Sequence, residues 1–390
     1  MTGWSEGPFA RVERLTDLRL GKSISENNGQ CRRVCVVDSH PGWLFKEYHS
    51  NASDADVLRL DKLTERPVTL RPADRELVDR NMSWPVSRVT RDSHTVGVLM
   101  PAAPDTFTTN LRTVNGRTRN AQLPIDLLAI DDDRMNRLGL PHLSLIDRVT
   151  VCSSIASVAA LFERAGLVYL DWSYANAFWS TSELAAYVID VDGCSFGPRL
   201  QMETNDWADP LVPRHSMASN AVDRYRVALL VARCLTAERD RGTVLAAVEN
   251  LARCAPMIRG VAEHVVHVLT ASTAAARPPL VELAAALTYA VTGAPEPGEP
   301  RTIRSGPGIK GWTPVKPRPG HPQTRPILHQ YPTAPTPSMS TPGPPPGVTV
   351  PTAVTLPTPT PDTGAAHTAA VLAGWLLLAG LLFLIFTVLA

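Results

Sequence analysis

Two hydrophobic periodicities divide the chain. Between Arg32 and Pro101, apolar residues come in short runs and alternations broken by turn residues: RRVCVVD, GWLFKEY, VSRVT and TVGVLMP. Runs of this kind, rich in β-branched and aromatic residues, predict strands. After His142 the spacing becomes helical. LSLIDRVTVCSSIASVAALFERAGL, DRYRVALLVARCLTA, GTVLAAVENLARCA and PPLVELAAALTYAVTG each repeat apolar residues on one face. A strand-rich front followed by a helix-rich back predicts an α+β domain over residues 1–292, without internal repeats. LVYLDWSYANAF and AAYVID lie between the first two helices of the back part.

The pattern then breaks twice. Of the 35 prolines, twenty fall between Pro295 and Pro361. Proline removes amide donors, so segments such as TAPTPSMSTPGPPPG support neither helix nor ladder. Residues 293–366 therefore read as a disordered, extended Pro/Thr-rich linker, a spacer that also offers docking for proline-binding modules. From Thr368 to Ala390 there is no charged residue, and AAVLAGWLLLAGLLFLIFTVLA is 22 residues long. A helix needs about 20 apolar residues to cross the hydrocarbon core, so 367–390 is expected to be one transmembrane helix. The segment Met1–Ala10 lacks the basic and apolar regions of a signal peptide. The expected topology is a single-pass protein of the cell membrane with its folded domain cytoplasmic.

Composition adds mainly exclusions. With 38 basic and 37 acidic side chains the formal net charge is +1, which gives no basic excess for nucleic acid. The six cysteines form no CxxC pair and no zinc-finger spacing with histidine, and read as reduced, mostly buried thiols. His264 and His267, three apart on an apolar helix, lack a third ligand and read as structural. Asn51 and Asn81 lie in sequons that a cytoplasmic domain would not glycosylate.

One constellation carries chemistry. Asp171 and Asn176 lie five apart on a loop after a long helix; Asp190 ends the short apolar strand AAYVID; Lys46 lies inside WLFKEY. Phosphoryl transfer requires a carboxylate to orient the attacking hydroxyl, oxygen ligands for magnesium and a cation for the nucleotide phosphates. Asp171 and Asp190 taken alone also suit turns, which aspartate favours.

This ordered set resembles the protein-kinase superfamily over roughly residues 15–290, with VAIK, HRDxxxxN and DFG as the corresponding motifs. The resemblance implies a bilobal fold, with a β-rich N-lobe over about 15–100 and an α-helical C-lobe over about 101–292. It implies ATP and Mg2+ as cofactors and a protein substrate. Lys46 matches the strand lysine, Asp171 the catalytic aspartate, and Asn176 and Asp190 the metal ligands. Asp223 matches the aspartate that hydrogen-bonds the catalytic loop, and Met100 falls near the adenine edge. With SWPVSRV and IDVDG, the chain looks like bacterial membrane-anchored Ser/Thr protein kinase-like proteins. It departs from the pattern at several points. Gly29 is the one glycine left where the glycine-rich loop should fall, with Asn28 and Cys31 at positions usually glycine. Tyr169 and Leu170 replace the histidine and arginine of HRD, and Ser173 replaces a lysine. Glu65, just before Pro67, stands at the spacing of the helix glutamate that pairs with the strand lysine. Asp192 is an alternative metal ligand or a support for the turn at Gly193. Thr204, Trp207 and Pro210 fall where an activation segment would end: a phosphate acceptor and a peptide ledge, or packing. The sequence thus leads to a membrane-anchored Ser/Thr protein kinase. Its alternatives are a pseudokinase scaffold that binds ATP or a partner, and a small-molecule kinase of the antibiotic-kinase type.

Overall fold

Six strands build the front of the domain: β1 (Val12–Arg14), β2 (Leu20–Asn28), β3 (Cys31–Val37), β4 (Trp43–Tyr48), β5 (Ser87–Arg91) and β6 (His94–Pro101). They form one sheet in the order β1-β5-β6-β4-β3-β2, antiparallel except for the β1–β5 pair. The computed structural model describes residues 3–28, 31–113, 115–201 and 206–293. Gly29, Thr204, the linker from 294 onward and the apolar segment to 390 lie outside the described residues.

Alternation along β4 gives the sheet two different faces. Lys46 stands opposite Val34 on β3 and Val98 on β6, and Leu44 stands opposite Met100. Trp43 and Phe45 point the other way, into a cluster with Val37, Val89, Val96 and Leu99. Phe9 closes that cluster edge-on to Trp43, with ring centroids 5.2 Å apart. Gly97 lets β6 approach β4: a Cβ there would lie 2.1 Å from the carbonyl oxygen of Lys46 and 2.8 Å from the Phe45 ring.

Two helices sit between β4 and β5. Helix α1 (Asp54–Glu65) starts at Ser53, whose side chain accepts the Asp56 N–H, and gives way at Arg66 to a 3-10 turn containing Pro67, as expected of a helix meeting proline. Helix α2 (Pro72–Asn81) follows with proline in its first turn. The buried Asn81 amide then donates to Ala186 O at 2.7 Å and to Ser154 Oγ at 3.1 Å, joining front and back parts.

The back part opens with an exposed polar hairpin, β7 (Thr108–Arg112) and β8 (Thr118–Gln122), and the short α3 (Asp132–Arg137). Helix α4 (Leu145–Arg164) begins at a capping box between Ser144 and Asp147 and runs through the largest core cluster. It is the one described helix long and apolar enough to cross a membrane, and most of its apolar residues are buried by protein instead. Short strands follow: β9 (Leu167–Val168), β10 (Ala177–Trp179), β11 (Ala186–Val188), β12 (Ser195–Phe196), β13 (Arg199–Leu200) and β14 (Met217–Ala218). Helices α5 (Asn220–Thr236), α6 (Val244–Cys254), α7 (Arg259–Leu269) and α8 (Leu280–Thr292) complete the domain. The sheet-first, helices-later order read from the periodicity is present; the β7–β8 hairpin escaped it because TTNLR and TRNAQ carry almost no apolar alternation.

Candidate functional site

Lys46 and Asp190 meet across 144 residues of sequence. The Lys46 Nζ donates to Asp190 Oδ1 at 2.9 Å and to Asp192 Oδ1 at 2.8 Å. The ammonium is almost wholly shielded, the Asp192 carboxylate is 5% exposed and that of Asp190 26%. Tyr48, two residues along the same face of β4, donates its hydroxyl to Asp192 Oδ2 at 3.1 Å. From α1, Arg59 donates to the carbonyl oxygens of Asp192 at 2.5 Å and Cys194 at 2.9 Å. On the same face, Cys31, Val34 and Met100 form a small apolar cluster with Leu44.

Local pairing explains how Asn176 and Asp190 come together. Strands β10 and β11 form a hairpin in which Ala177 faces Val188. The next residues out are therefore opposed, and Ile189 N–H donates to Asn176 O at 3.0 Å. The Asn176 side chain turns back, Nδ2 donating to Asp171 O at 2.9 Å. That bond fixes the amide orientation and leaves Oδ1 as the acceptor end.

The Asp171 loop is held from below. Asp223, in the first turn of α5, accepts the N–H of Tyr169 at 2.9 Å and of Leu170 at 2.7 Å. Arg226, one turn on and buried, donates to Leu170 O and to Trp207 O. Tyr169 donates its hydroxyl to Ile189 O at 2.6 Å, linking the Asp171 loop to the residue before Asp190. Its ring lies edge-on to Trp172, centroids 5.0 Å apart, and against Phe162. Leu170 and Asp190 both adopt left-handed backbone, φ 58° and 57°. Bulky side chains hold that conformation only where the surroundings over-determine it.

The electrostatics are asymmetric. Burial alone would depress the Lys46 pKa, but Asp192 and Asp190 together outweigh it and raise it. Asp190 is also raised: burial is the largest cause, Lys46 opposes it, and the nearby Asp192 and Asp171 push further up. Burial lifts Asp223 to about 7, against the two backbone N–H groups that favour its anion. Asp190 and Asp192 thus share one ammonium, and Asp171 lies near enough to push Asp190 up, a negative excess that a divalent cation would relieve. The Asn176 amide oxygen and the Asp190 carboxylate are the hard oxygen donors that magnesium takes.

The structure therefore brings Lys46, Asp171, Asn176 and Asp190 to one place and sets Met100 on the same sheet face as Lys46. Glu65 is a correction. It lies at the C-terminal end of α1, is more than half exposed, and pairs with Arg11 at 2.5 Å; Pro67 ends the helix beside it, and the α1 side chain that reaches toward the site is Arg59. Gly29 lies outside the described residues. Trp207 is buried beneath Arg233, whose guanidinium carbon is 4.6 Å from its ring centroid, so it packs rather than forming a ledge. Pro210 is exposed. His264 is buried and His267 exposed on α7. The sequence reading missed Arg59, Tyr48 and Arg226, and the buried ion pair of Asp209 with Arg277, whose side chains are 0% and 1% exposed. WADP places Asp209 before a proline but does not point to a partner 68 residues away. A separate polar pocket of about 290 Å³ opens on the outer sheet face between Glu26, Asn27, Arg32, Arg33, Glu47 and Arg91. Glu47 is engaged there by Arg33 at 2.6 Å and Arg91 at 2.9 Å, and the lining offers no nucleophile.

No protein-family model matches the chain, and no curated protein matches it. Among solved structures it is similar to one described as "ROP18 kinase domain in complex with AMP-PNP and sucrose". The match covers 70% of this chain and 79% of that one, at 14% identity and a TM-score of 0.47.

Proposed function

We propose that the chain is a kinase-like, ATP-dependent phosphotransferase, and more specifically a membrane-anchored Ser/Thr protein kinase working at the inner membrane face. One observation carries the reading: Lys46 on a front strand meets Asp190 at 2.9 Å, while Asn176, tied to Asp171, is paired with the residue before Asp190. Asp171 orients and accepts the proton of the substrate hydroxyl. Asn176 and Asp190 hold magnesium, and Lys46 neutralises the α- and β-phosphates. Magnesium when bound shields the phosphate charge as it is transferred; the chain's own contribution is mostly positioning. The apolar segment 367–390 anchors the protein, and the Pro-rich linker lets the domain reach membrane-proximal substrates at raised effective concentration and dock proline-binding modules.

A second reading is a nucleotide-binding pseudokinase. It is favoured by the loop before Asp171, where Tyr169 and Leu170 stand in place of the HRD histidine and arginine. The deciding experiment is transfer from labelled ATP by the purified full-length chain to a generic protein substrate with magnesium. Transfer lost in both Asp171→Asn and Asp190→Asn supports the kinase. ATP binding without transfer, abolished by Asp190→Asn, supports the pseudokinase. Loss of both activities in the wild type overturns the nucleotide chemistry altogether.

A further inference from the structure

In protein kinases a helix glutamate pairs with the strand lysine, and α1 supplies no such partner for Lys46. Asp56 of that helix pairs with Arg59 at 3.2 Å, Asp61 with Arg88 at 2.6 Å and Glu65 with Arg11 at 2.5 Å. Asp54 is exposed in the first turn. The α1 side chain that faces the site is a cation, Arg59, and it grips main-chain carbonyls.

We infer that Asp192 is the positioning residue of Lys46, taking the part that an acidic residue on α1 would otherwise play, and that Arg59 fastens α1 to the turn that carries it. The inference rests on the phosphotransferase reading. The division of labour between the two aspartates is visible in their oxygens. Asp192 is nearly sealed, and both of its oxygens are engaged by protein: Oδ1 by Lys46 at 2.8 Å and Oδ2 by Tyr48 at 3.1 Å. A carboxylate sealed to 5% exposure is poorly placed to take a solvated metal ion. Asp190 gives only Oδ1 to Lys46 and is several times more exposed, so it keeps an oxygen for the metal. Tyr48 and Lys46 lie two apart on β4 and therefore project to one side, gripping the same carboxylate like two fingers. The Val191–Gly193 turn presents Asp192 to them, and Arg59 pins that turn at the carbonyls of Asp192 and Cys194. Lysine placement is thereby built into the metal-loop turn, and the contact of α1 with the site passes through backbone carbonyls instead of through the lysine.

The test is a double-mutant cycle on the full-length chain, read as the dissociation constant of ATP with magnesium, with folding checked by thermal melting. If Asp192 acts through Lys46, Asp192→Asn weakens ATP binding by about tenfold in the wild-type background, the scale of one charge-assisted hydrogen bond. It has no further effect in a Lys46→Met background. Tyr48→Phe, a milder change that frees Asp192 Oδ2, shows the same dependence on Lys46 with an effect of about threefold, and keeps the question open to decision if Asp192→Asn does not fold. Equal losses in both backgrounds, or no loss in either, overturn the inference while leaving the nucleotide site standing. A wild-type chain that binds no ATP overturns the inference together with the reading on which it rests.

Discussion

The carboxylate of Asp223 accepts the backbone N–H of Leu170 at 2.7 Å, across 53 residues of sequence. With the matching bond to Tyr169 it anchors the residue before Asp171 to the first turn of α5. Both amides are buried with their residues, so Asp223→Ala strands two donors. Each unpaired buried group costs about 1–3 kcal/mol. The expected result is a marked drop in unfolding free energy by urea titration, with transfer activity falling more than ATP affinity because Asp171 rather than Lys46 is displaced.

Gly97 stands opposite Glu47 in the β4–β6 ladder, and a methyl group there would overlap the carbonyl of Lys46. The obstacle is backbone, which cannot swing aside as a side chain can. Gly97→Ala is expected to destabilise the domain by about 1–3 kcal/mol, the usual range for overpacking, and to weaken ATP binding by tilting Lys46. Wild-type melting and wild-type ATP affinity in this variant would show that the strands can part freely.

Arg277 and Asp209 form a pair sealed from solvent, with Nη2 donating to Oδ1 at 2.7 Å. Arg277 also donates to Ala221 O at 2.8 Å and lies over the Tyr225 ring. Removing one member of a buried pair leaves an uncompensated charge, which costs about 3–5 kcal/mol. Arg277→Met should therefore be severely destabilised, and Arg277→Met with Asp209→Leu should recover much of the loss. Denaturant midpoints of the two variants decide it.

His264 is buried on α7, and burial, with the nearby His267 and Arg224 adding to it, depresses its pKa from 6.5 to about 3. The native state therefore holds it neutral, while the unfolded chain takes up a proton as pH falls below 6.5. Its contribution to stability is complete above that value and is lost progressively toward pH 3. Between pH 7 and 4.5 the loss from this residue is about 2–3 kcal/mol, at 1.36 kcal/mol per pH unit. His264→Leu should remove that part of the acid sensitivity, seen as a shallower fall of the urea midpoint with pH.

Much of the site was legible because its residues sit at local boundaries. Lys46 interrupts an apolar strand, Asp190 ends one, and Asp171 and Asn176 share a loop between a helix and a short hairpin. Strand and helix periods mark such boundaries in any sequence. Glu65 was misleading for a related reason: spacing along the chain said that an acid was available, but not which side of α1 it occupies, and Pro67 stops the helix beside it. Arg59 and Tyr48 gave no signal, since a cation on an amphipathic helix and a tyrosine at a strand end are ordinary surface and edge residues.

What the sequence determined by itself was the order of materials: a strand-rich front, a helix-rich back, a Pro-rich stretch and a final apolar run, each fixed by local composition and period. What only the tertiary structure decided was pairing. Lys46 chooses two aspartates 144 and 146 residues away, Asp209 chooses Arg277, and Tyr169 takes the carbonyl before Asp190. Local period is set by the geometry of one helix or strand, whereas a pairing depends on which faces are buried against each other and on which charges are desolvated together, and those are properties of the packed molecule alone.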